Sequence, residues 1–382
     1  MESLRITFVL QSMIRTGGTK VILSFARGLA GRGHQVRIVT SYKAKWFDLP
    51  ESVQLLGPSN LGFAAAYLKQ RFSGYSLQRD LKMHGTLAEA IPPSDISVAT
   101  FSTTVYPIMW SVNAGVPFHH MQHFEVMFAT SPAHRSFILS SYALELPRIA
   151  NSSWLAARFK EFTGSEVPVL NPGIDHDVFY PRSGRSTDPH VFQILSLGKR
   201  GWKNVDTVIR STQGLVKRYQ DRLNIRLHLF GQFKPRGLPN YPFLTFHENV
   251  TDAELATLYS MADLYISQSM AESFPLAPLE AMACGCPVIT TPTGTEDYVE
   301  AGGNALVVDY GDSRGLEEAV ARVIEDKSLS ERLGKKGQET AKRFTFTHQV
   351  PVYEQMLKTA RDRFDADFAH KANLLKPQNL AI

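Results

Sequence analysis

The sequence predicts an α/β protein of two domains, each a parallel sheet with helices on its faces. Three observations lead there. The 382 residues suit two domains at roughly 150 residues each. The first half alternates short apolar runs with apolar positions at helical spacing, the pattern of βαβ units. After a polar, turn-rich interval the same alternation restarts.

Residues 6–10 read as an apolar strand and 11–17 as a polar loop. Residues 18–31 carry Val21, Ile22, Phe25 and Leu29 at helical spacing, and Gly31 and Gly33 end that helix. Residues 35–40 are the next strand. Such a βαβ unit makes the sheet parallel. Further strands are expected at 96–100 and 118–122. Arg148-Ile-Ala-Asn-Ser-Ser153 reads as a strand entering a helix that Ser152 or Ser153 can cap, and 167–170 as one more strand. Residues 171–181 are rich in turn formers, and 183–189 read as a linker. From residue 191 the expected strands are 191–197, 225–230, 244–247, 264–268 and 287–291. Helices are expected at 205–219, 252–261 and 276–284, the last with Gly285 at its C-terminal cap. The chain ends with helical stretches over 316–343 and 347–369. The expected divisions are 1–178, 184–348 and a helical tail at 349–382.

Composition narrows the function. Hydrophobic residues are 43% and charged residues 20%, ordinary for a globular chain. No window approaches the roughly 18 apolar residues of a membrane span, and the start reads as a strand rather than a signal peptide. A cytoplasmic protein is expected. The net charge of +5 suits a phosphate-bearing ligand or an anionic membrane surface, and no nucleic-acid motif is present. Cys284 and Cys286 are too close for a relaxed disulfide and read as buried thiols.

Four segments carry candidate chemistry. In parallel α/β sheets ligands sit off the C-terminal strand ends, so loops after strands matter most. The first segment is Glu272-Ser-Phe-Pro-Leu-Ala-Pro-Leu-Glu280, two carboxylates straddling a loop-to-helix junction. The free amides of a helix start can hold a diphosphate. Glu280 would then accept ribose hydroxyls and Glu272 sugar hydroxyls. The plainer alternative is an acidic first turn complementing the helix dipole. The second is Gly198-Lys-Arg-Gly-Trp-Lys-Asn204, where Lys199, Arg200 and Lys203 suit a pyrophosphate leaving group, or form a solvated basic turn. The third is Gly17-Gly18, which lets backbone approach a ligand. The fourth is Phe118-His-His-Met-Gln-His-Phe-Glu125. His119 and His120 point to opposite strand faces and cannot chelate together. His123 can donate to a sugar or be a core or surface histidine. Arg71, Arg79 and Lys82, with Tyr67, Phe72 and Tyr75, read as a membrane-surface element, an acceptor loop or a solvated helix face.

These segments resemble the retaining glycosyltransferases of family 4. The resemblance rests on the strand ending at Gln268-Ser269, the Glu-x7-Glu element, Glu280-Ala-Met-Ala-Cys-Gly-Cys-Pro-Val-Ile, Thr293-Gly-Thr-Glu296 and Gly302-Gly-Asn-Ala-Leu-Val-Val. It extends to Asn151-Ser-Ser-Trp154 and Asn171-Pro-Gly-Ile-Asp175, and thins over 45–115. It implies the GT-B fold: two Rossmann-like domains facing each other across a cleft, with the C-terminal helix returning to the N-terminal domain. It places the acceptor on the first domain and the nucleotide sugar on the second. It implies that Glu272 faces the donor sugar, that Glu280 holds the ribose, and that Ser269, Ser273, Phe274, Pro275 and Leu276 meet the donor. Glycines are usual at 273 and 275, so the diphosphate cradle differs in detail here. Lys203 matches the family lysine, while Lys199 stands where arginine is usual and Arg200 can serve instead. Gly17 and Gly18 match the loop beside the diphosphate and acceptor. Gln122-His123 fills the place of a His-Asp pair, and Gln122–Glu125 is similar to rhamnose-transferring members.

The reaction implied is glycosyl transfer from a nucleoside diphosphate sugar to an acceptor hydroxyl with retention, in polysaccharide or glycoconjugate synthesis. The acceptor is a saccharide or a glycolipid, which would place the protein at the inner face of the membrane. No cofactor is expected, and no metal, because no Asp-x-Asp stands at a strand end. The catalytic candidates are Glu272, Lys203, Arg200 and His123. A nucleotide-sugar 2-epimerase and a non-catalytic sugar-nucleotide-binding protein are the alternatives.

Overall fold

The computed structural model describes residues 2–41, 49–57, 76–184, 186 and 188–363. The chain forms two compact units, Met1–Pro172 with Phe346–Ile382, and Gly173–Thr345.

The first unit holds a six-stranded parallel sheet. Its strands are β1 (Arg5–Leu10), β2 (Gln35–Thr40), β3 (Val53–Leu56), β4 (Ile96–Ala99), β5 (Val116–Met121) and β6 (Arg148–Ala150), in the order β3-β2-β1-β4-β5-β6. β4 and β5 are buried throughout, as strands covered on both faces must be. The chain reverses direction across the sheet between β1 and β4, so the loops after these strands diverge there. Helix α1 (Gly17–Gly31) starts at Thr16, whose hydroxyl accepts the Thr19 N–H, and the chain leaves it through Gly33 at φ +92°. Ser152 caps the helix Ser153–Thr163.

Two expectations change here. Residues 167–170 are not a strand, because Pro168 supplies no ladder donor and only Val169 pairs with Ala150. Strand β3 was not expected, while the helix Leu77–Ala90 carries Arg79 and Lys82 as the helix-face alternative had it. The helix is only weakly apolar in sequence and buries Asp80 and His84. Arg71, with Tyr67, Phe72 and Tyr75, lies outside the described residues. Lys82 is exposed on the helix.

The C-terminal helix Phe346–Asp362 belongs to the first unit and packs on α1. Gly28 makes this approach close: a methyl there would lie 2.4 Å from Val350. Tyr353 is fully buried, its ring 4.7 Å from Phe25 and its hydroxyl 3.2 Å from His120 Nδ1.

The second unit repeats the plan. Its strands are β7 (Val191–Leu197), β8 (Asn224–Gly231), β9 (Leu244–Glu248), β10 (Leu264–Ile266), β11 (Val288–Thr290) and β12 (Leu306–Val307), in the order β12-β11-β10-β7-β8-β9. All neighbours are parallel. The switch point falls between β7 and β10. The helix Leu276–Ala283 ends as expected, with Gly285 just beyond it at φ +73°. Residues 316–343 divide into two helices, Ser313–Glu325 and Lys327–Ala341. Asp326 separates them, and its carboxylate accepts the Leu329 N–H as a new cap.

One histidine pair in this unit has a measurable consequence. His228 Nδ1 and His247 Nε2 lie 2.9 Å apart on β8 and β9. Burial and the neighbouring His247 hold His228 down at about 4, and burial lowers His247. Both are neutral in the folded protein, whereas the unfolded chain takes up protons near 6.5. Stability is therefore complete above that pH and is lost as pH falls toward 4. Urea midpoints of His228→Gln/His247→Gln should fall less over this window than those of the unsubstituted protein.

Candidate functional site

In the second unit, the sequence-predicted residues gather at the β7/β10 switch point. The loop after β7 forms a tight 3-10 turn, Gly201–Lys203, that ends at Asn204 in the left-handed region. The Trp202 carbonyl accepts the backbone N–H of Met270 at 2.7 Å, which ties this turn to the loop after β10. That link brings Lys203 to Glu272, and the two form an ion pair with side chains 17% and 11% exposed. The charges are thus held largely out of water. Burial and the Lys199 ammonium pull Lys203 down to about 7, while the adjoining Glu272 carboxylate favours its charged form. The Lys203 and Lys199 ammonium groups lie 4.4 and 5.5 Å from the Trp202 ring centre, within cation–π range.

The Glu272 backbone is fixed from the other side by Gly294. This glycine has φ +81°, and a methyl there would stand 2.2 Å from the Glu272 carbonyl oxygen. The loop then enters the helix Leu276–Ala283 through Pro275, whose φ of −69° is the value its ring imposes. The Tyr298 hydroxyl donates to the Pro275 carbonyl at 2.8 Å. No side chain caps the helix, and Pro278 supplies no N–H, so Leu276, Ala277 and Leu279 carry the amides of its first turn. Glu280 is buried one turn further in and accepts from the Tyr259 hydroxyl at 3.4 Å. Ser273 and Phe274 are buried beneath the loop. Ser269 is buried, and its carbonyl accepts the Thr291 hydroxyl at 2.7 Å. Gln268 Oε1 accepts the Gly311 N–H at 3.0 Å. Four strand-end loops are therefore stitched together.

Arg200 is placed differently from its neighbours. Its guanidinium pairs with Asp206 at 3.1 Å and donates to the carbonyls of Arg236 and Gly237. The structure joins Lys203, and not Arg200, to Glu272.

In the first unit a second group forms beside the β1/β4 switch point. Gly18 abuts the Gln122 side chain, where a methyl would meet Oε1 at 3.0 Å. Gln122 Nε2 donates to the Thr100 carbonyl at 3.2 Å, and the Gln122 carbonyl accepts from Asn151 Nδ2 at 3.0 Å. Gly17 is exposed at the start of α1. The His123 ring lies 4.5 Å from Phe128 and 5.9 Å from Trp154. His119 and His120 are fully buried in the sheet.

The sequence did not reveal Trp202, Met270 or Tyr259. Their contributions are a backbone hydrogen bond, a ring under two ammonium groups and a hydroxyl, and none leaves a local spacing pattern.

The family described as glycosyl transferases group 1 matches residues 185–340, nearly the whole second unit. The match covers the residues that carry the Lys203–Glu272 pair and the helix Leu276–Ala283. The chain is 25% identical over 243 residues to D-inositol 3-phosphate glycosyltransferase of Paenarthrobacter aurescens (strain TC1), covering 59% of this chain and 55% of that protein. It thus spans about half the length of the curated relatives it matches. Sucrose-phosphate synthase from Thermosynechococcus elongatus superposes with a TM-score of 0.74 at 16% identity, over 93% of this chain and 98% of that one. Anabaena Alr3699/HepE, solved in complex with UDP and glucose, superposes at 0.70 with 17% identity, over 93% and 100%. These likenesses establish the two-domain GT-B fold.

Proposed function

We propose that the protein transfers a glycosyl group from a nucleoside diphosphate sugar to an acceptor hydroxyl with retention of configuration. The observation that carries this reading is the Lys203–Glu272 pair, held at the switch point beside an uncapped helix start. Lys203 and the amides of Leu276 and Ala277 would meet the charge that develops on the departing diphosphate. Lys199 would add to that field. Glu280 would accept the ribose hydroxyls, and Glu272 would orient the donor sugar. The relative solved with UDP and glucose supports a nucleoside diphosphate donor. The transition state would carry oxocarbenium character.

Retention through a covalent intermediate needs a free carboxylate nucleophile. Glu272 is tied to an ammonium group, which favours same-face attack with the donor phosphate taking the acceptor proton. His123 and Gln122 would contact the transferred sugar or the acceptor. The sugar would be a hexosyl or deoxyhexosyl group, and the acceptor a saccharide or glycolipid reached by peripheral contact with the membrane. Among the described residues no helix is long and apolar enough to cross one.

A thermal-shift panel with UDP, TDP, GDP and ADP tests the donor site. At about 100 times its dissociation constant a ligand stabilises by roughly 2.7 kcal/mol. One diphosphate should raise the melting temperature, and Glu280→Ala should abolish that rise. If no nucleotide shifts the protein, the donor site assigned here is wrong.

A further inference from the structure

The first unit buries a carboxyl group that the proposed reaction does not use. Glu125 has no exposed surface and stands just after Gln122 and His123. Tyr142, on the helix Pro132–Tyr142, holds it twice. Its hydroxyl donates to Glu125 Oε2 at 2.6 Å and accepts the Glu125 backbone N–H at 3.1 Å. This closed ring fixes main chain and side chain together. The other carboxyl oxygen, Oε1, is buried without a full hydrogen bond, and the N–H and hydroxyl of Ser102 approach the carboxyl group only loosely. A carboxylate oxygen so poorly met is costly in such a place, and a neutral carboxyl costs much less. Burial raises Glu125 to about 7, against the opposing pull of Tyr142 and Ser102.

A nearby cation, Arg148, acts on Tyr142 and His119 and not directly on Glu125. His119, on β5, lies 6.4 Å from the Tyr142 ring and is held well below its ordinary value by burial, so it is neutral. Arg148, on β6, spends its guanidinium on the carbonyls of Ser141, Leu144 and Leu146. Ser102, in the loop after β4, is uncharged and fully buried.

We infer that Glu125 is a positioning residue, a neutral clamp to Tyr142 that sets the loop carrying Gln122 and His123. This rests on the role given to those two residues under the proposed reaction. The clamp explains why a glutamate stands in a sealed site at a strand end. It acts through the loop, and it touches no substrate. As pH rises and Glu125 ionises, a charge enters a site that cannot solvate it, and the loop loosens.

The test reads the loop directly and needs no substrate. Imidazole signals of the full chain, grown with isotope-labelled histidine, are followed by NMR, with His123→Asn assigning the His123 signal. Glu125→Ala should move that signal. Glu125→Gln, neutral and still able to accept from Tyr142, should leave it in place at pH well below 7, where Glu125 is protonated. Beside the imidazole's own titration, the unsubstituted protein should show a second inflection in the His123 signal near 7 that is absent in Glu125→Gln. Tyr142→Phe, which keeps the ring and loses the clamp, serves if Glu125→Ala does not fold, and should move the signal the same way. An unmoved His123 signal in a folded Glu125→Ala or Tyr142→Phe protein overturns the inference, as does the inflection persisting in Glu125→Gln. Nucleotide thermal shifts report on the second unit, so a failure of the donor site is separately visible.

Discussion

Replacing Lys203 with methionine is expected to lower turnover by about 10²–10³-fold, the scale for removing one preorganised group from a developing oxyanion. It should also destabilise the protein, because Glu272 is left buried beside an apolar chain. Breaking one partner of a buried pair costs about 3–5 kcal/mol. These two effects separate in the double variant. Lys203→Met/Glu272→Gln removes both charges and should regain most of the stability, measured by urea unfolding. It should regain none of the turnover, since the diphosphate still loses its cation. Recovery of transfer in the double variant would make the pair a structural bridge and remove Lys203 from the chemistry. The ammonium must be charged to act, so turnover should fall as pH rises through the Lys203 value. Burial and the Lys199 ammonium place that fall near 7.

The features legible in the sequence were those written in short spacings. Helix α1 announced itself through Val21, Ile22, Phe25 and Leu29, and all four are buried. The Glu-x7-Glu element was legible because a loop-to-helix junction sets both ends within one local stretch. Gly285 was legible because only a residue tolerant of positive φ can leave that helix. Longer-range features were hidden. The Trp202–Met270 hydrogen bond uses backbone atoms, so side-chain identity says nothing of it. Arg200 and Lys203 look equivalent in a list of cations, yet Asp206 captures one and Glu272 the other. The choice depends on where a 3-10 turn points each side chain. His84 shows the same limit. No sequence pattern singles it out, yet it is fully buried among Tyr106, Trp110 and Phe137, and burial lowers it to about 4.

Gly294 and Gly28 show what a glycine can conceal. Each stands where backbone or a neighbouring helix leaves no room for a methyl, and neither position signals this locally. At Gly294 the close neighbour is the carbonyl of Glu272 itself. The turn containing Thr293 and Thr295 is therefore part of the mould that shapes the candidate site. The motif quoted from the family resemblance acquires a physical reason: a side chain there would push Glu272 out of register with Lys203.

The second large effect is expected at the C-terminal helix. Glu354 sits on its buried side and draws in Arg32, His34 and Lys358, with His34 Nε2 at 3.2 Å. Arg32 and His34 follow α1, so this carboxylate fastens the helix Phe346–Asp362 to the turn after α1. Burial alone would raise it, but Lys358, Arg32 and His34 together hold it down at about 2. The unfolded chain binds that proton near 4.3. The folded state therefore gains stability that is complete above the unfolded value and lost as pH falls toward 2, on the order of 2 kcal/mol. Glu354→Gln should lose about that much at neutral pH and flatten the acid limb of the stability curve. Tyr353→Ala removes a fully buried ring from the cluster of Phe8, Phe25, Phe118 and His120, for about 3–5 kcal/mol. Because the helix completes the first unit, both variants should weaken that unit's unfolding transition first. Nucleotide-induced stabilisation of the second unit should survive. Loss of nucleotide binding in a folded Glu354→Gln protein would show instead that the two units do not hold their sites independently.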